Sequence, residues 1–161
     1  MIKVLFVCHG NICRSPMAEY IFKKLIKDEG IEEDFMVSSA ATSYEEYGNP
    51  VYPPVKKLLR SIGINCDAHR AYRMNKEDYD KYDLLICMGS RNLRNLRNII
   101  GDDPAKKVHL LMEYTGRSRD VADPYYSGDF DETWKDINEG CAALLKELRY
   151  QRWADSSSSR D

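Results

Sequence analysis

The most constraining feature of the sequence is a short apolar run that leads into a loop and then into a helix. Residues 4–7, Val-Leu-Phe-Val, are typical of a strand that is covered on both faces. Ser15 and Pro16 follow the loop, and proline is favoured in the first turn of a helix. This arrangement predicts a strand, a tight loop and a helix start, in which successive loop amides point inward and form an anion nest.

The predicted loop begins with a cysteine and ends with an arginine. Cys8 follows the strand directly, and Arg14 comes after five further residues, which are His9, Gly10, Asn11, Ile12 and Cys13. A loop of this length can wrap a phosphate at the positive end of the helix dipole, and the arginine fork matches two phosphate oxygens. The same field favours the thiolate form of Cys8. Residues 8–14 therefore predict a phosphate-binding loop with Cys8 as a nucleophile aimed at phosphorus.

Strand and helix patterns alternate along the rest of the chain. The later predicted strands are 35–37, 83–88 and 107–111, and the predicted helices lie within 16–30, 51–62, 90–100 and 129–150. Residues 38–43 are interpreted as a turn and Ser90 as a helix N-cap. The alternation predicts a single α/β domain with a parallel sheet of about four strands and helices on both faces. Because ligands bind beyond the carboxyl ends of such strands, Cys8 lies where a site is expected.

Length, charge and cysteine content restrict the remaining possibilities. A chain of 161 residues fits one domain, predicted here as 1–154, and the serine-rich residues 155–161 are predicted to be disordered. The 24 basic and 26 acidic residues nearly balance, so no nucleic-acid partner is expected. No apolar run has the length of a membrane span or a secretory signal. Five scattered cysteines favour a reducing, cytoplasmic location. Nothing in the sequence indicates the oligomeric state.

Residues 8–16, continuing into Met17-Ala18-Glu19, resemble the signature loop of the low-molecular-weight protein tyrosine phosphatases. The resemblance runs through residues 39–43 and 87–88 to the Asp-Pro-Tyr-Tyr at 123–126, and it covers the chain to about Tyr150. It implies a protein tyrosine phosphatase that acts on tyrosine-phosphorylated proteins or peptides. The reaction would pass through a cysteinyl-phosphate, without a metal or a cofactor.

A phenolic leaving group needs a general acid, because its oxygen must be protonated as the bond breaks. No acidic residue precedes Cys8, and Asp123, which follows the fourth predicted strand and is stiffened by Pro124, is the best candidate. The resemblance assigns it the same role. Weaker candidates are Asp102, Asp103 and Asp120. Tyr125 and Tyr126 are predicted to form an aromatic wall that suits a flat aryl phosphate.

Several residues are expected to support the loop. Ser15 is predicted to donate a hydrogen bond to the Cys8 thiolate and help it leave from the phosphoenzyme. Asn11 is predicted to take a left-handed backbone conformation, which asparagine tolerates. The resemblance further implies that a serine and a histidine hold the Asn11 side chain, and Ser39 and His69 match these by position.

Two positions depart from the family pattern. Gly89 stands where the family often has an aspartate, and this concerns the network that supports the site. Glu45, with Tyr44 beside it, stands where the family often has an aromatic residue facing the cleft, and this concerns specificity. Arg91, Arg94 and Arg97 lie three apart on one predicted helix, either as its solvated face or as a basic docking stripe.

Cys13 is predicted to have a redox role. A loop that wraps a phosphate is nearly a closed ring, so its two cysteines approach each other to within disulfide distance. Cys8, as the more reactive thiolate, would be oxidised first to a sulfenic acid. Cys13 would then condense with it and protect the enzyme reversibly.

Three alternative functions remain open. Protein-arginine phosphatases share this scaffold but typically carry threonine at the position of Ile12, so Ile12 and the tyrosine pair favour phosphotyrosine. Arsenate reductases of similar fold need two further cysteines close together, whereas Cys66 and Cys87 are far apart in sequence. A zinc site formed by Cys8, Cys13, Cys66 and His69 has tolerable spacing, but it gives no role to Arg14 or Asp123.

Overall fold

In the part of the chain that the structure describes, the sheet is built from four parallel strands. The structure, a computed structural model, describes residues 1–158, with the backbone alone at 153 and 155–158. The strands are β1 (Ile2–Cys8), β2 (Phe35–Ala41), β3 (Leu84–Cys87) and β4 (Val108–Leu110). Their order is β2-β1-β3-β4, so β1 is central and carries the phosphate-binding loop at its carboxyl end. The predicted α/β class is confirmed.

Within residues 1–158, six α-helices connect and cover these strands. They are α1 (Arg14–Asp28), α2 (Pro53–Ser61), α3 (Asp78–Lys81), α4 (Ser90–Ile100), α5 (Pro124–Ser127) and α6 (Phe130–Ser158). The single-turn helices α3 and α5 were not predicted, because one turn is too short to show a helical period. No helix in the part of the chain that the structure describes has the length and apolarity needed to cross a membrane.

Alternation along β1 divides the core into two layers, because successive side chains of a strand point to opposite faces. Val4, Phe6 and Cys8 face the layer that contains α1 and α6. Leu5 and Val7 face the layer that contains α4. Helices therefore cover both faces of the sheet, and the side chain of Cys8 emerges on the α1 side, at the start of the helix that follows it.

Two local predictions were wrong. Residues 38–41 belong to β2 rather than to a turn, because the strand continues in parallel register until Ala41 pairs with Cys8. Ser90 is the first residue of α4 and Gly89 is its N-cap. The Ser90 amide donates instead to Asp120 Oδ1 at 3.0 Å, so a carboxylate thirty positions away caps this helix.

The last helix is longer than the sequence pattern indicated. It runs to Ser158, and two ion pairs hold its carboxyl-terminal half to the rest of the domain: Arg149 with Glu29 at 2.7 Å and Arg152 with Asp34 at 2.9 Å. Within the segment predicted to be disordered, residues 155–158 therefore continue α6. Residues 159–161 lie outside the described part of the chain.

Candidate active site

The loop between β1 and α1 directs hydrogen-bond donors at one sulfur atom. The amides of Asn11 and Ser15 donate to Cys8 Sγ at 3.3 and 3.4 Å, and Ser15 Oγ lies 3.0 Å from the same sulfur. Asn11 has the predicted left-handed backbone, with φ of 60°, which turns its amide inward. Two backbone donors therefore converge on this sulfur at the amino end of α1, where the helix dipole stabilises negative charge.

The side chain of Asn11 holds this conformation in place. Its Nδ2 donates to Ser15 Oγ at 2.8 Å and to Ser39 Oγ at 2.9 Å, while its Oδ1 accepts from the Tyr72 amide at 3.0 Å. Ser39 Oγ donates in turn to Glu19 Oε1 at 2.6 Å. Because Asn11 is fully buried, an unmet amide atom would be costly, and these partners stabilise the turned backbone. The sequence indicated neither Glu19 nor Tyr72 as part of this network.

His69 supports the loop at a different atom from the one expected. Its Nε2 hydrogen-bonds the backbone carbonyl of Asn11 at 2.8 Å, not the Asn11 side chain. A left-handed residue turns its carbonyl away from the loop interior, so this buried oxygen needs a donor from elsewhere in the fold. The resemblance brought the correct pair of residues together but implied the wrong acceptor.

Arg14 connects the phosphate-binding loop with the candidate acid. Its guanidinium lies 3.4 Å from Asp123 Oδ2 and donates to the Val121 carbonyl at 3.4 Å. Only 11% of the Arg14 side chain is exposed, against 32% for Asp123, so the arginine is held inside the site while the carboxylate remains accessible. A planar, permanently charged fork in this position suits a phosphate oxygen pair.

The segment that carries Asp123 is anchored at every residue from 121 to 123. The Val121 amide donates to the Met88 carbonyl at 2.8 Å, and the Ala122 amide donates to Asp136 Oδ2 at 3.0 Å. Asp123 Oδ1 accepts from the Tyr125 amide at 3.0 Å, which makes Asp123 the N-cap of α5. The other oxygen of the same carboxylate faces Arg14. The candidate acid is therefore held beside Arg14 by contacts at both of its carboxylate oxygens.

Asp136 on α6 is a buried carboxylate that sequence patterns did not indicate. Besides the Ala122 amide it binds the guanidinium of Arg119, with Nη1 3.1 Å from Oδ2. A buried charge with both an ion-pair partner and a backbone donor is well satisfied. It joins the longest helix to the segment preceding the acid.

The three weaker acid candidates occupy other positions. Asp102 and Asp103 precede β4 and so lie at the opposite edge of the sheet from Cys8; Asp103 Oδ1 accepts from Tyr79 Oη at 2.6 Å. Asp120 does line the cleft, but its carboxylate is engaged by the amide and hydroxyl of Ser90. Of the four aspartates, Asp123 alone pairs with Arg14 within the described residues.

A cleft of about 560 Å³ opens beside Arg14 and Asp123. Its lining comes from the segment after β3, the start of α4 and the acid segment, and includes Gly89, Arg91, Asn92, Asp120 and Ser127. Of the two predicted wall residues, Tyr126 lines the cleft, whereas Tyr125 packs edge-on against Tyr126 with ring centroids 5.1 Å apart. Ile12, half-buried in the loop, accepts from the Tyr52 amide through its carbonyl at 2.8 Å.

Gly89 and Glu45, the two departures from the family pattern, each contact another residue of the site region. A Cβ on Gly89 would lie 2.9 Å from the Asp120 carboxyl group, so Asp120 occupies the space beside this glycine. Glu45 Oε2 lies 3.0 Å from His9 Nε2 on the other side of the loop. The adjacent Tyr44 faces the Arg73 guanidinium, whose Cζ lies 4.9 Å from the centroid of the tyrosine ring.

The remaining cysteines bear on two alternatives. Cys66 and Cys87 are both buried, and burial raises the pKa of the Cys87 thiol to about 12. Together they do not form the reactive pair of cysteines on a mobile loop that an arsenate reductase needs. Among residues 1–158 no group of three or more His, Cys, Asp or Glu side chains is arranged to hold a metal ion. The four residues of the alternative zinc site therefore do not form one.

The chain resembles known proteins over nearly its whole length. The family model described as low molecular weight phosphotyrosine protein phosphatase matches residues 3–154. The low molecular weight protein-tyrosine-phosphatase YfkJ of Bacillus subtilis (strain 168) is 38% identical over 154 residues, which are 94% of this chain and 99% of that protein. The human low molecular weight phosphotyrosine protein phosphatase is 40% identical over 149 residues, covering 89% and 93% of the two chains.

Solved structures agree with the sequence comparison. The crystal structure of YfkJ superimposes with a TM-score of 0.90 and covers 94% of this chain and 96% of its own. A drosophila arginine phosphatase, 30% identical, gives a TM-score of 0.83 and covers 91% of this chain and 98% of its own. The fold is thus shared by enzymes with different named substrates, whereas the matched model and the sequence relatives agree on one family. On these grounds the chain belongs to the low molecular weight phosphotyrosine protein phosphatases.

Proposed function

We propose that Cys8, Arg14 and Asp123 carry out the hydrolysis of phosphotyrosine in proteins or peptides in two steps. In the first, Cys8 Sγ attacks phosphorus, the bond to the tyrosine oxygen breaks, and Asp123 gives its proton to the departing phenol. In the second, Asp123 takes a proton from water, which attacks the cysteinyl-phosphate and releases inorganic phosphate. The pairing of Arg14 with the carboxylate of Asp123 beside the Cys8 loop is the observation that carries this proposal.

The other site residues receive supporting roles. The backbone amides of residues 9–14, with the Arg14 fork, bind the phosphate oxygens. Ser15 donates to the sulfur that leaves in the second step, and Asn11, Ser39 and His69 hold the loop in the required conformation. Ile12 and Tyr126 border the aryl group, and Tyr125 packs against the Tyr126 ring. These roles need no metal and no organic cofactor.

We further propose that residues 1–154 form the catalytic domain and that the enzyme works in the cytoplasm. The family match from residue 3 to 154 supports the first statement. All five cysteines being free thiols supports a reducing compartment.

Phosphotyrosine and phosphoarginine substrates are distinguished by residues in the cleft and not by the fold, because a drosophila arginine phosphatase has the same fold. We expect the wild type to act on phosphotyrosine peptides in preference to phosphoserine and phosphoarginine peptides, with EDTA present. Replacing Ile12 by threonine should lower the ratio of kcat/KM for phosphotyrosine over phosphoarginine, since threonine is smaller and adds a hydroxyl at the cleft mouth. Matched peptides that differ only in the phosphorylated residue measure this ratio.

Replacement of Ile12 by valine is the matched control, because it removes one methylene group without adding a hydroxyl. An unchanged ratio in Ile12→Thr would exclude Ile12 as the discriminating residue. A wild type that prefers phosphoarginine would replace the proposed substrate by the alternative one.

We propose that Cys13 protects Cys8 from irreversible oxidation. Burial, followed by the neighbouring Cys8, raises the pKa of Cys13 to about 12. Cys13 is therefore protonated at neutral pH, and because the thiolate is the attacking form, its reaction with a Cys8 sulfenic acid should accelerate as the pH rises. After brief peroxide treatment and then dithiothreitol, we expect the wild type to recover most of its activity, and more fully when the peroxide step is run at alkaline pH.

Cys13→Ser should recover poorly after the same treatment, and Cys66→Ser is the control that should behave like wild type. Mass spectrometry of the wild type before reduction should reveal a peptide in which Cys8 and Cys13 are joined. Equal recovery of Cys13→Ser and wild type would mean that Cys13 protects nothing.

A further inference from the structure

The order of the strands determines which segments flank the phosphate-binding loop. Since β1 lies between β2 and β3, and all carboxyl ends meet at one edge, the segment after β2 borders the loop on one side and the segment after β3 borders it on the other. The first segment carries Glu45 and Glu46, and the second leads into Arg91 and Arg94. The first segment therefore forms an acidic border (Glu45 and Glu46) and the second a basic border (Arg91 and Arg94); Asp120 also lies on the second side, but its carboxylate is engaged as the cap of α4.

The acidic border lies directly against the loop. Glu45 Oε2 is 3.0 Å from His9 Nε2, with 69% of the glutamate side chain and 45% of the histidine side chain exposed. The Glu46 side chain packs on the next loop residue, because a Cβ on Gly10 would lie 3.3 Å from Glu46 Cγ. Asn49 Nδ2 donates to Glu46 Oε2 at 2.7 Å, a neutral partner that leaves this carboxylate negative.

The basic border lies on the cleft side of the loop. Arg91 lines the cleft together with Arg14 and Asp123, and its Nη1 donates to Tyr126 Oη at 3.0 Å. The tyrosine hydroxyl holds the direction of the guanidinium without neutralising it. Arg94 is exposed one turn further along α4. Arg14 and Asp123, which offset each other, lie between the two borders.

We propose that a phosphotyrosine segment crosses this cleft in one direction, with a basic side chain toward Glu45 and Glu46 and an acidic side chain toward Arg91. The value of kcat/KM then depends on the order of the charged residues around the phosphotyrosine, and not only on the net charge of the segment. This inference rests on the proposed function. Neighbouring residues of an extended segment advance about 3.3 Å each, so side chains within two or three positions of the phosphotyrosine reach both borders.

Four phosphotyrosine peptides of equal length test the proposal. They place lysine before and glutamate after the phosphotyrosine, the reverse order, lysine on both sides, or glutamate on both sides. The first two have the same net charge and composition. We expect their kcat/KM values to differ by about fivefold, a modest ratio because exposed charge pairs are individually weak. The difference should lie mainly in KM. High salt should bring the ratio close to one, since it screens exposed charges.

Two variants identify the residues responsible. Glu45→Gln and Arg91→Gln should each reduce the ratio between the two isomeric peptides to about twofold, and the double variant should reduce it further, because only Glu46 and Arg94 then keep their charges. Comparing two peptides within one variant cancels any common change in activity. Glu33→Gln, at the opposite edge of the sheet, and Arg97→Gln, about 9 Å further along α4, are the matched controls and should keep the wild-type ratio.

Equal kcat/KM values for the two isomeric peptides in the wild type would overturn the proposal, as would a preference that neither variant alters. Both outcomes leave the proposed function standing, because the enzyme would still hydrolyse the peptides. Failure to hydrolyse any of the four peptides would overturn the proposed function itself.

Discussion

Replacing Cys8 by serine is expected to reduce kcat on aryl phosphates to less than about a thousandth of the wild-type value. In the wild type, two amides and the Ser15 hydroxyl surround the Cys8 sulfur. Serine keeps the shape of the side chain, but its hydroxyl does not ionise in these surroundings and is therefore a poor nucleophile. In the proposed mechanism backbone amides and Arg14 bind the phosphate, and the exchange leaves these groups in place. Calorimetric titration with inorganic phosphate should therefore still detect binding, and the thermal midpoint should remain close to that of the wild type.

Cys141→Ser provides the matched control, because Cys141 is also buried but lies on α6, within the core rather than in the loop. It should lose stability rather than catalytic rate. A residual activity of Cys8→Ser above a thousandth of wild type would mean that another residue is the nucleophile.

Asp123→Asn is expected to lower the rate by roughly 10²–10⁴ on phenyl phosphate, whose leaving group needs a proton. The loss in kcat/KM, which reports the first step alone, should be much smaller on p-nitrophenyl phosphate, whose leaving group is stable as an anion. The asparagine oxygen can still accept from the Tyr125 amide, so the cap of α5 is retained, while the ionisable proton and the charge that faces Arg14 are lost. Rates on a series of aryl phosphates with different leaving groups measure the difference.

Asp120→Asn is the appropriate comparison for this variant. Asp120 lines the same cleft, but its carboxylate receives the amide of Ser90 at 3.0 Å and caps α4. Any loss should be smaller and should affect both leaving groups equally. If Asp123→Asn also lost activity equally on both substrates, the assignment of Asp123 as general acid would be incorrect.

The phosphate-binding loop could be predicted from the sequence because all of its determinants are local. A buried strand, a left-handed Asn11, Arg14 and a proline-led helix follow one another within thirteen residues, and each has its own conformational preference. The alternation of strands and helices, likewise a local property, gave the correct sheet. Asp123 was chosen as the candidate acid because the chemistry required one and Pro124 marked a stiff segment, and the structure places it beside Arg14.

The parts that were missed depend on contacts between distant segments. Asp136 holds the Ala122 amide from another helix, and Asp120 caps α4 from thirty positions away; neither contact leaves a periodic pattern. The acceptor of His69 was mistaken for a similar reason, since family position identifies a residue but not which atom of Asn11 it meets. The pairing of Glu45 with His9 depends on the sheet, which brings the loop after β2 beside the loop after β1.

The most direct test of the account is to identify the covalent intermediate. Asp123→Asn should form the cysteinyl-phosphate readily from p-nitrophenyl phosphate but hydrolyse it slowly, because it lacks the base for the second step. Acid quenching during turnover, followed by mass spectrometry of the peptides, should then locate one phosphoryl group on Cys8. A phosphoryl group on any other residue would contradict the two-step mechanism. Continued turnover of Asp123→Asn with Cys8 unmodified would contradict it as well.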